Sequence, residues 1–181
     1  MTDTSTSDTG LAARIDALLR DVPDFPQPGV LFKDISPLLA DAAAFADVVE
    51  ALAATAGGDV DVVAGVEARG FLMAGAIATE LGVGLVPVRK AGKLPPPTLA
   101  RSYDLEYGSA EIEVPLGLLD GKRVLLVDDV LATGGTLRAA AELLADAGAT
   151  VTAMAVIVEL GFLHGRDLLG DALPVVSLLT L

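Results

Sequence analysis

The segment that most constrains this chain is Arg123-Val124-Leu125-Leu126-Val127-Asp128-Asp129, continued by Val130-Leu131-Ala132-Thr133-Gly134-Gly135-Thr136. Its apolar run reads as a buried strand that ends on two adjacent carboxylates. A glycine and threonine turn then leads straight into a helix predicted over residues 135–147 and closed by Gly148. In open α/β sheets, ligands bind at the carboxyl ends of strands. Free N–H groups at the helix start, with the threonine hydroxyls, suit a phosphate monoester. The carboxylates repel phosphate but accept hydrogen bonds from sugar hydroxyls. The combination fits a phosphorylated sugar, against the plain alternative of an N-cap turn with two solvated acids. No Gly-Lys-Ser/Thr closes the turn, so it is not a Walker A loop, and the dinucleotide fingerprint Gly-x-Gly-x-x-Gly is missing.

The flanking pattern agrees with such a sheet. Strands are predicted at 60–64, 83–88 and 151–158, with a last one at 175–179, and a helix at 71–81. Asp41 reads as the N-cap of a helix whose apolar stripe is Phe45, Val48, Val49 and Leu52, ended by Gly57-Gly58. Leu11, Ile15, Leu18 and Leu19 fall at helical spacing, with Asp8 or Thr9 as cap and a frayed polar end before them. Pro23, Pro26 and Pro28 stop that helix and set up a rigid loop to Gly29. Apolar runs without strict alternation, separated by helices, indicate an α/β protein with a mostly parallel sheet covered on both faces. The 181 residues predict one domain over 22–181, preceded by an extension and first helix at 1–21. Aromatics are only 4% of the chain, whereas Ala and Leu number 30 each, so the core is built from small aliphatic side chains.

Composition removes several chemistries. There is no cysteine, hence no disulfide, thiolate nucleophile or thiolate metal site, and the single histidine, His164, excludes a His–His metal pair. His164 itself reads as a surface or packed residue. The net charge of −13 repels nucleic acid and acidic membranes, so any anion must be bound by a local basic patch. Neither a targeting segment nor an apolar run of membrane-spanning length is visible, and the cytoplasm is the expected compartment.

Residues 89–108 have little periodicity. They hold Arg89, Lys90, Lys93, the run Pro95-Pro96-Pro97, and Tyr103-Asp104-Leu105-Glu106-Tyr107-Gly108. A loop of that length in a compact domain is commonly a lid, the alternative being a two-stranded β-excursion with surface charge.

The Asp-Asp pair with its Ala-Thr-Gly-Gly-Thr turn resembles the 5-phosphoribosyl 1-pyrophosphate (PRPP) signature of the type I phosphoribosyltransferases. Elsewhere the likeness narrows to the adenine-using branch of that family. Pro23-Asp24-Phe25-Pro26-Gln27-Pro28-Gly29 and Phe32-Lys33-Asp34-Ile35-Ser36-Pro37 are similar to its base-recognition segment, here residues 22–40. Glu67-Ala68-Arg69-Gly70-Phe71 is similar to its pyrophosphate loop. Arg89-Lys90-x-Gly92-Lys93-Leu94-Pro95 and Tyr103-x-Leu105-Glu106-Tyr107-Gly108 are similar to its flexible catalytic loop. Lys33 stands where the family varies between Arg and Lys.

The resemblance implies transfer of a phosphoribosyl group from PRPP to adenine, giving AMP and pyrophosphate, through an oxocarbenium-like transition state at ribose C1. It implies that Asp128 and Asp129 hold the ribose hydroxyls and that Ala132, Thr133, Gly134, Gly135 and Thr136 cradle the 5′-phosphate. Arg69 would face pyrophosphate from a turn whose backbone is strained or cis. Arg69, Arg89, Lys90 and Lys93 form the local cationic site, a third of the 12 basic residues. Mg²⁺ is expected through PRPP oxygens and water, with no firm protein ligand. Glu106 is the expected acid–base group at the purine ring nitrogens, while Tyr107 and Tyr103 cover the site or anchor the loop. Val30, Leu31, Phe32 and Lys33 are expected to recognise adenine, through backbone groups around Leu31 and packing by Phe32. Lys33 has the alternative of a structural ion pair. A homodimer is expected, as is common in the family. Two other classes stand beside this reading: a phosphoribosyltransferase for another base, such as hypoxanthine, xanthine or orotate, and a non-catalytic PRPP-binding regulator. The regulator would usually need a DNA-binding segment, which neither charge nor length provides.

Overall fold

The computed structural model describes residues 5–58, 60–105, 108–171 and 173–181. Seven strands form the central sheet: β3 (Val62–Val66), β4 (Gly84–Lys90), β5 (Thr98–Leu105), β6 (Gly108–Pro115), β7 (Arg123–Leu131), β8 (Thr150–Glu159) and β9 (Val175–Thr180). Their order is β5-β6-β4-β3-β7-β8-β9. β4, β3, β7, β8 and β9 run parallel, and β6 is antiparallel to both β4 and β5. This is the α/β architecture with a mostly parallel sheet that the alternating pattern predicts.

The unalternated apolar runs arise because both faces are covered. Val63, Leu125, Val127, Ala155 and Ile157 belong to one core, with Val48 and Leu52 of α3 (Ala42–Ala54) and Met73 and Ile77 of α4 (Gly70–Leu81). Val62, Ala64, Val124, Leu126 and Val156 belong to the other, with Leu137, Leu143 and Leu144 of α5 (Gly135–Asp146). Each fully buried Leu or Val contributes about 1.5–3 kcal/mol of apolar transfer. Small residues let the layers approach closely: a Cβ on Gly65 of β3 would lie 2.6 Å from the Ala74 Cβ of α4.

The first helix, α1 (Ser5–Leu18), starts ahead of the expected Asp8 or Thr9 cap, inside the segment expected to fray. It is followed by an antiparallel pair, β1 (Arg20–Pro23) and β2 (Leu31–Asp34), which projects the proline-rich turn outward. A short helix, α2 (Ser36–Ala40), leads to α3, and Asp41 caps α3 as expected by accepting from the Ala44 N–H at 2.8 Å. β3 lies two residues later than the predicted 60–64. β7 does not stop at Val127, because β8 pairs with it as far as Leu131↔Glu159. The acidic pair is therefore inside the strand rather than just beyond it. The region expected to be a long loop is mostly regular: β4 extends to Lys90, and β5 pairs with β6 from Thr98↔Pro115 onward. The β-excursion is the better description, because β6 supplies a partner strand. No described helix is long and apolar enough to cross a membrane.

Candidate active site

The glycine and threonine turn sits at the carboxyl end of β7, next to the middle of the sheet. Asp128, Val130, Leu131, Ala132, Thr133, Gly134, Thr136 and Leu137 line a pocket of about 70 Å³. Gly134 has φ +84°, a conformation that favours glycine, and it precedes the first residue of α5. The main chain turns there immediately before the helix begins. Thr136 adds a hydroxyl, which shares a 3.3 Å hydrogen bond with the Tyr103 hydroxyl from β5.

Both carboxylates are buried, Asp128 at 9% and Asp129 at 6% exposure. Asp128 Oδ1 accepts from the Asp129 N–H at 2.9 Å. Burial, and next the charge of Asp129, push the Asp128 carboxyl well above its usual range. The pair therefore carries a second negative charge less readily than two exposed aspartates would. Arg69 Nε lies 2.7 Å from Asp129 Oδ2, yet that buried oxygen has no hydrogen bond, so the contact is an ion pair without an aligned donor. A buried acceptor left in that condition calls for a donor from a ligand, and a sugar hydroxyl has the right chemistry.

Arg69 stands at the end of the turn between β3 and α4, where the Glu67–Ala68 peptide is cis. Gly70 permits the approach to β7: a Cβ there would lie 3.0 Å from Val127 O and 3.1 Å from Asp128 Oδ1. The Arg69 guanidinium lies 4.7 Å from the Phe32 ring centre, and Nη1 donates to Lys33 O at 3.5 Å. The turn between β3 and α4 and the strand β2 thus meet on one arginine. Phe32 in turn packs edge-on against Phe25, with ring centres 5.1 Å apart. Leu31 and Phe25 are each 51% exposed and present an uncovered apolar surface. Val30 is half-buried beside them. The Lys33 side chain turns away and pairs with Asp21 at 2.6 Å, so at this position the structural ion pair is the outcome.

The basic segment is held by two acids that motif reading did not assign a role. Glu67 Oε2 accepts from the Lys90 N–H at 3.0 Å and pairs with Arg89 Nε at 3.2 Å. Buried Glu113 on β6 accepts from the Lys93 and Leu94 N–H groups, both at 2.8 Å. These amides, Leu94 first, hold the Glu113 carboxyl below its ordinary value. Arg89 Nη1 donates to Lys93 O at 3.0 Å. Lys90 and Lys93 are exposed, with no ion-pair partner among the described residues. Of the four expected cations, then, Arg69 reaches Asp129 and Arg89 is tied to the turn between β3 and α4 through Glu67. Glu106 and Tyr107 lie outside the described residues.

The model of the phosphoribosyl transferase domain matches residues 36–167. An adenine phosphoribosyltransferase of Kineococcus radiotolerans is 62% identical over 172 residues, covering 94% of this chain and 92% of its own. The chain belongs to the adenine phosphoribosyltransferase family. Solved members of the family superpose closely. The Rhodothermus marinus enzyme has a TM-score of 0.91 at 42% identity, over 96% of this chain and 99% of that one. The Saccharomyces cerevisiae enzyme, crystallised with an imino-altritol bisphosphate and adenine, has a TM-score of 0.87 at 36% identity over 94% and 99%. Glu67 and Glu113, which hold the basic segment through the Lys90, Lys93 and Leu94 amides, have contacts that the sequence pattern does not announce. Glu67 lay inside a quoted motif, but nothing local in the sequence links Glu113 to a turn about 20 residues away.

Proposed function

We infer that this protein transfers the 5-phosphoribosyl group of PRPP to adenine, releasing pyrophosphate and forming AMP, a salvage reaction for a free purine. The observation that carries this reading is the buried Asp129 oxygen without a hydrogen bond, next in the chain to Asp128, which lines the glycine and threonine cradle at the end of β7. In the reaction a lone pair on adenine N9 forms the bond to ribose C1. The C1–oxygen bond to pyrophosphate breaks, with its electrons leaving on oxygen. The proton originally on the purine nitrogen goes to a base.

Each residue then has a place. Thr133, Gly134, Gly135, Thr136 and the Ala132 backbone hold the 5′-phosphate. Asp128 and Asp129 accept from the ribose hydroxyls, and their charge favours a cationic ribose in the transition state. Arg69 exchanges Asp129 for the pyrophosphate oxygens, with Arg89, Lys90 and Lys93 completing the positive field. Adenine lies against Phe32 and takes hydrogen bonds from the backbone around Leu31. Glu106, with Tyr107 beside it, exchanges the proton at the ring nitrogens. Residues 22–40 serve as the base-recognition segment and 89–108 as the catalytic segment of one domain, 22–181.

Asp128 and Asp129 are hard oxygen donors beside the sugar site, which fits an ion such as Mg²⁺ brought in on PRPP. When bound, Mg²⁺ neutralises charge on the pyrophosphate. Among the described residues no three His, Cys, Asp or Glu side chains are grouped to hold a metal alone, so substrate oxygens and water would complete its shell. The protein works in the cytoplasm as a homodimer near twice 18.4 kDa. The test is pyrophosphate release and AMP formation from PRPP and adenine, with Mg²⁺ present and then omitted. Formation of AMP only when adenine and PRPP are both present supports the reading. PRPP binding without turnover would make the protein a sensor instead.

A further inference from the structure

Against the backbone of the cradle packs a network that the proposed reaction does not use. The main chain of Gly165, first residue of α6 (Gly165–Leu169), presses directly on the turn. A Cβ on Gly165 would fall 2.1 Å from Ala132 O and 2.9 Å from Gly134 N. A Cβ on Gly134 would fall 2.3 Å from Gly165 O. Two glycine backbones therefore share one contact, and neither can move without the other.

The next residue, Arg166, anchors that contact to the sheet. Its Nε donates to Glu159 Oε1 at 2.9 Å, its Nη1 to Val175 O at 2.6 Å, and its Nη2 to Ser177 Oγ at 3.2 Å. Nη2 also pairs with Glu159 Oε2, to which the Ser177 hydroxyl donates at 2.7 Å. Glu159 is 7% exposed and pairs in register with Leu131, the last residue of β7 before the turn. The Leu160 N–H donates to Leu131 O at 2.9 Å. The Arg166 hydrogen bond, opposed by burial and helped by the Ser177 hydroxyl and the Arg166 charge, holds the Glu159 carboxyl below its ordinary value. One guanidinium thus links the ends of β8 and β9 to the backbone under the phosphate turn.

We propose that Arg166 is a positioning residue for the 5′-phosphate: by binding Glu159, Val175 and Ser177 it sets the height of the Gly165 backbone and so the shape of the 132–136 cradle. This rests on the assignment of that turn to the phosphate. Arg166 touches no substrate in this scheme. Its removal relaxes the floor of the cradle, and a displacement of an ångström in a positioned group costs up to about 10²-fold.

The test measures ribose 5-phosphate affinity by calorimetry and KM for PRPP and for adenine, with Tm alongside, in Arg166→Met, Gly165→Ala, Thr136→Val and Val48→Ala. The last removes buried volume from the other face of the sheet and reports what destabilisation alone does. Arg166→Met and Gly165→Ala are expected to weaken ribose 5-phosphate and raise the PRPP KM about tenfold, with the adenine KM changed by less than about twofold. Val48→Ala lowers Tm without that split. Arg166→Lys keeps a cation but not the fork, and recovers part of the loss. Should Arg166→Met not fold, Arg166→Lys and Ser177→Ala carry the same comparison, each expected at about threefold. Normal ribose 5-phosphate affinity in the Arg166 variants, beside a loss in Thr136→Val, overturns the proposal and leaves the cradle standing. An equal loss in Val48→Ala overturns it as well. Normal affinity in Thr136→Val and Gly165→Ala overturns the cradle assignment, and the proposal with it.

Discussion

Arg69→Gln keeps a long polar side chain and removes the charge. In the free protein the guanidinium is 2.7 Å from Asp129 and 4.7 Å from the Phe32 ring centre. The arginine side chain is 34% exposed, so its ion pair contributes only about 0–1 kcal/mol, and the ring contact adds about 0.5–1 kcal/mol. Charged hydrogen bonds to pyrophosphate contribute about 1.5–3 kcal/mol. The variant loses those bonds but no longer has to break the contacts with Asp129 and Phe32. The net loss is about 1–2 kcal/mol, or about 5–30-fold in PRPP affinity. Calorimetric titration with PRPP and Mg²⁺, beside the same titration with ribose 5-phosphate, separates the causes. Ribose 5-phosphate has no pyrophosphate, and its affinity should be unchanged. Equal weakening of both ligands, or of neither, would refute the assignment of Arg69 to pyrophosphate.

Gly70→Ala puts a Cβ 3.0 Å from Val127 O and 3.1 Å from Asp128 Oδ1, so it should lower stability by about 1–3 kcal/mol and weaken ribose 5-phosphate; thermal melts with and without that ligand check both. Glu106→Gln should lower kcat by about 10²-fold while leaving PRPP affinity near normal, as read by single-turnover AMP formation beside PRPP titration. Asp34 is held at about 2, first by the Ser36 hydroxyl, and Asp61 at about 2, first by Arg123. Both folded values lie below the ordinary 3.8, so their stabilisation is complete above about pH 4 and is lost as pH falls toward 2. Melts across that window should show the loss shrinking in Asp34→Asn.

The parts of the fold legible in sequence are those set by local pattern. The unalternated runs of β3, β7 and β8, the Asp41 cap and the glycines closing α3 and α5 each announce themselves within a few residues. The boundaries that slipped depend on partners. β7 continues past Val127 only because β8 runs alongside it. Segment 89–108 looks like a loop because the reason for its strand is Ile112 and Val114 on β6, further along the chain and buried there. The same holds in the site. Asp128, Asp129 and the turn were readable because one strand–turn–helix carries them. The Arg69–Phe32 contact joins residues 37 apart, the two amides bound by Glu113 come from another strand connection, and the Arg166 network joins three elements. No local pattern encodes these, because burial and sheet order create them. Lys33 illustrates the converse: its residue type suits a ligand, but Asp21 faces it across the β1–β2 pair.

This site joins adenine, rather than another base, to the ribose of PRPP. The direct measurement is kcat/KM for adenine, hypoxanthine, guanine and xanthine at saturating PRPP and Mg²⁺, read as pyrophosphate release. Adenine should lead by about tenfold or more, about 1.4 kcal/mol of transition-state discrimination. Equal or better use of any 6-oxopurine would contradict it.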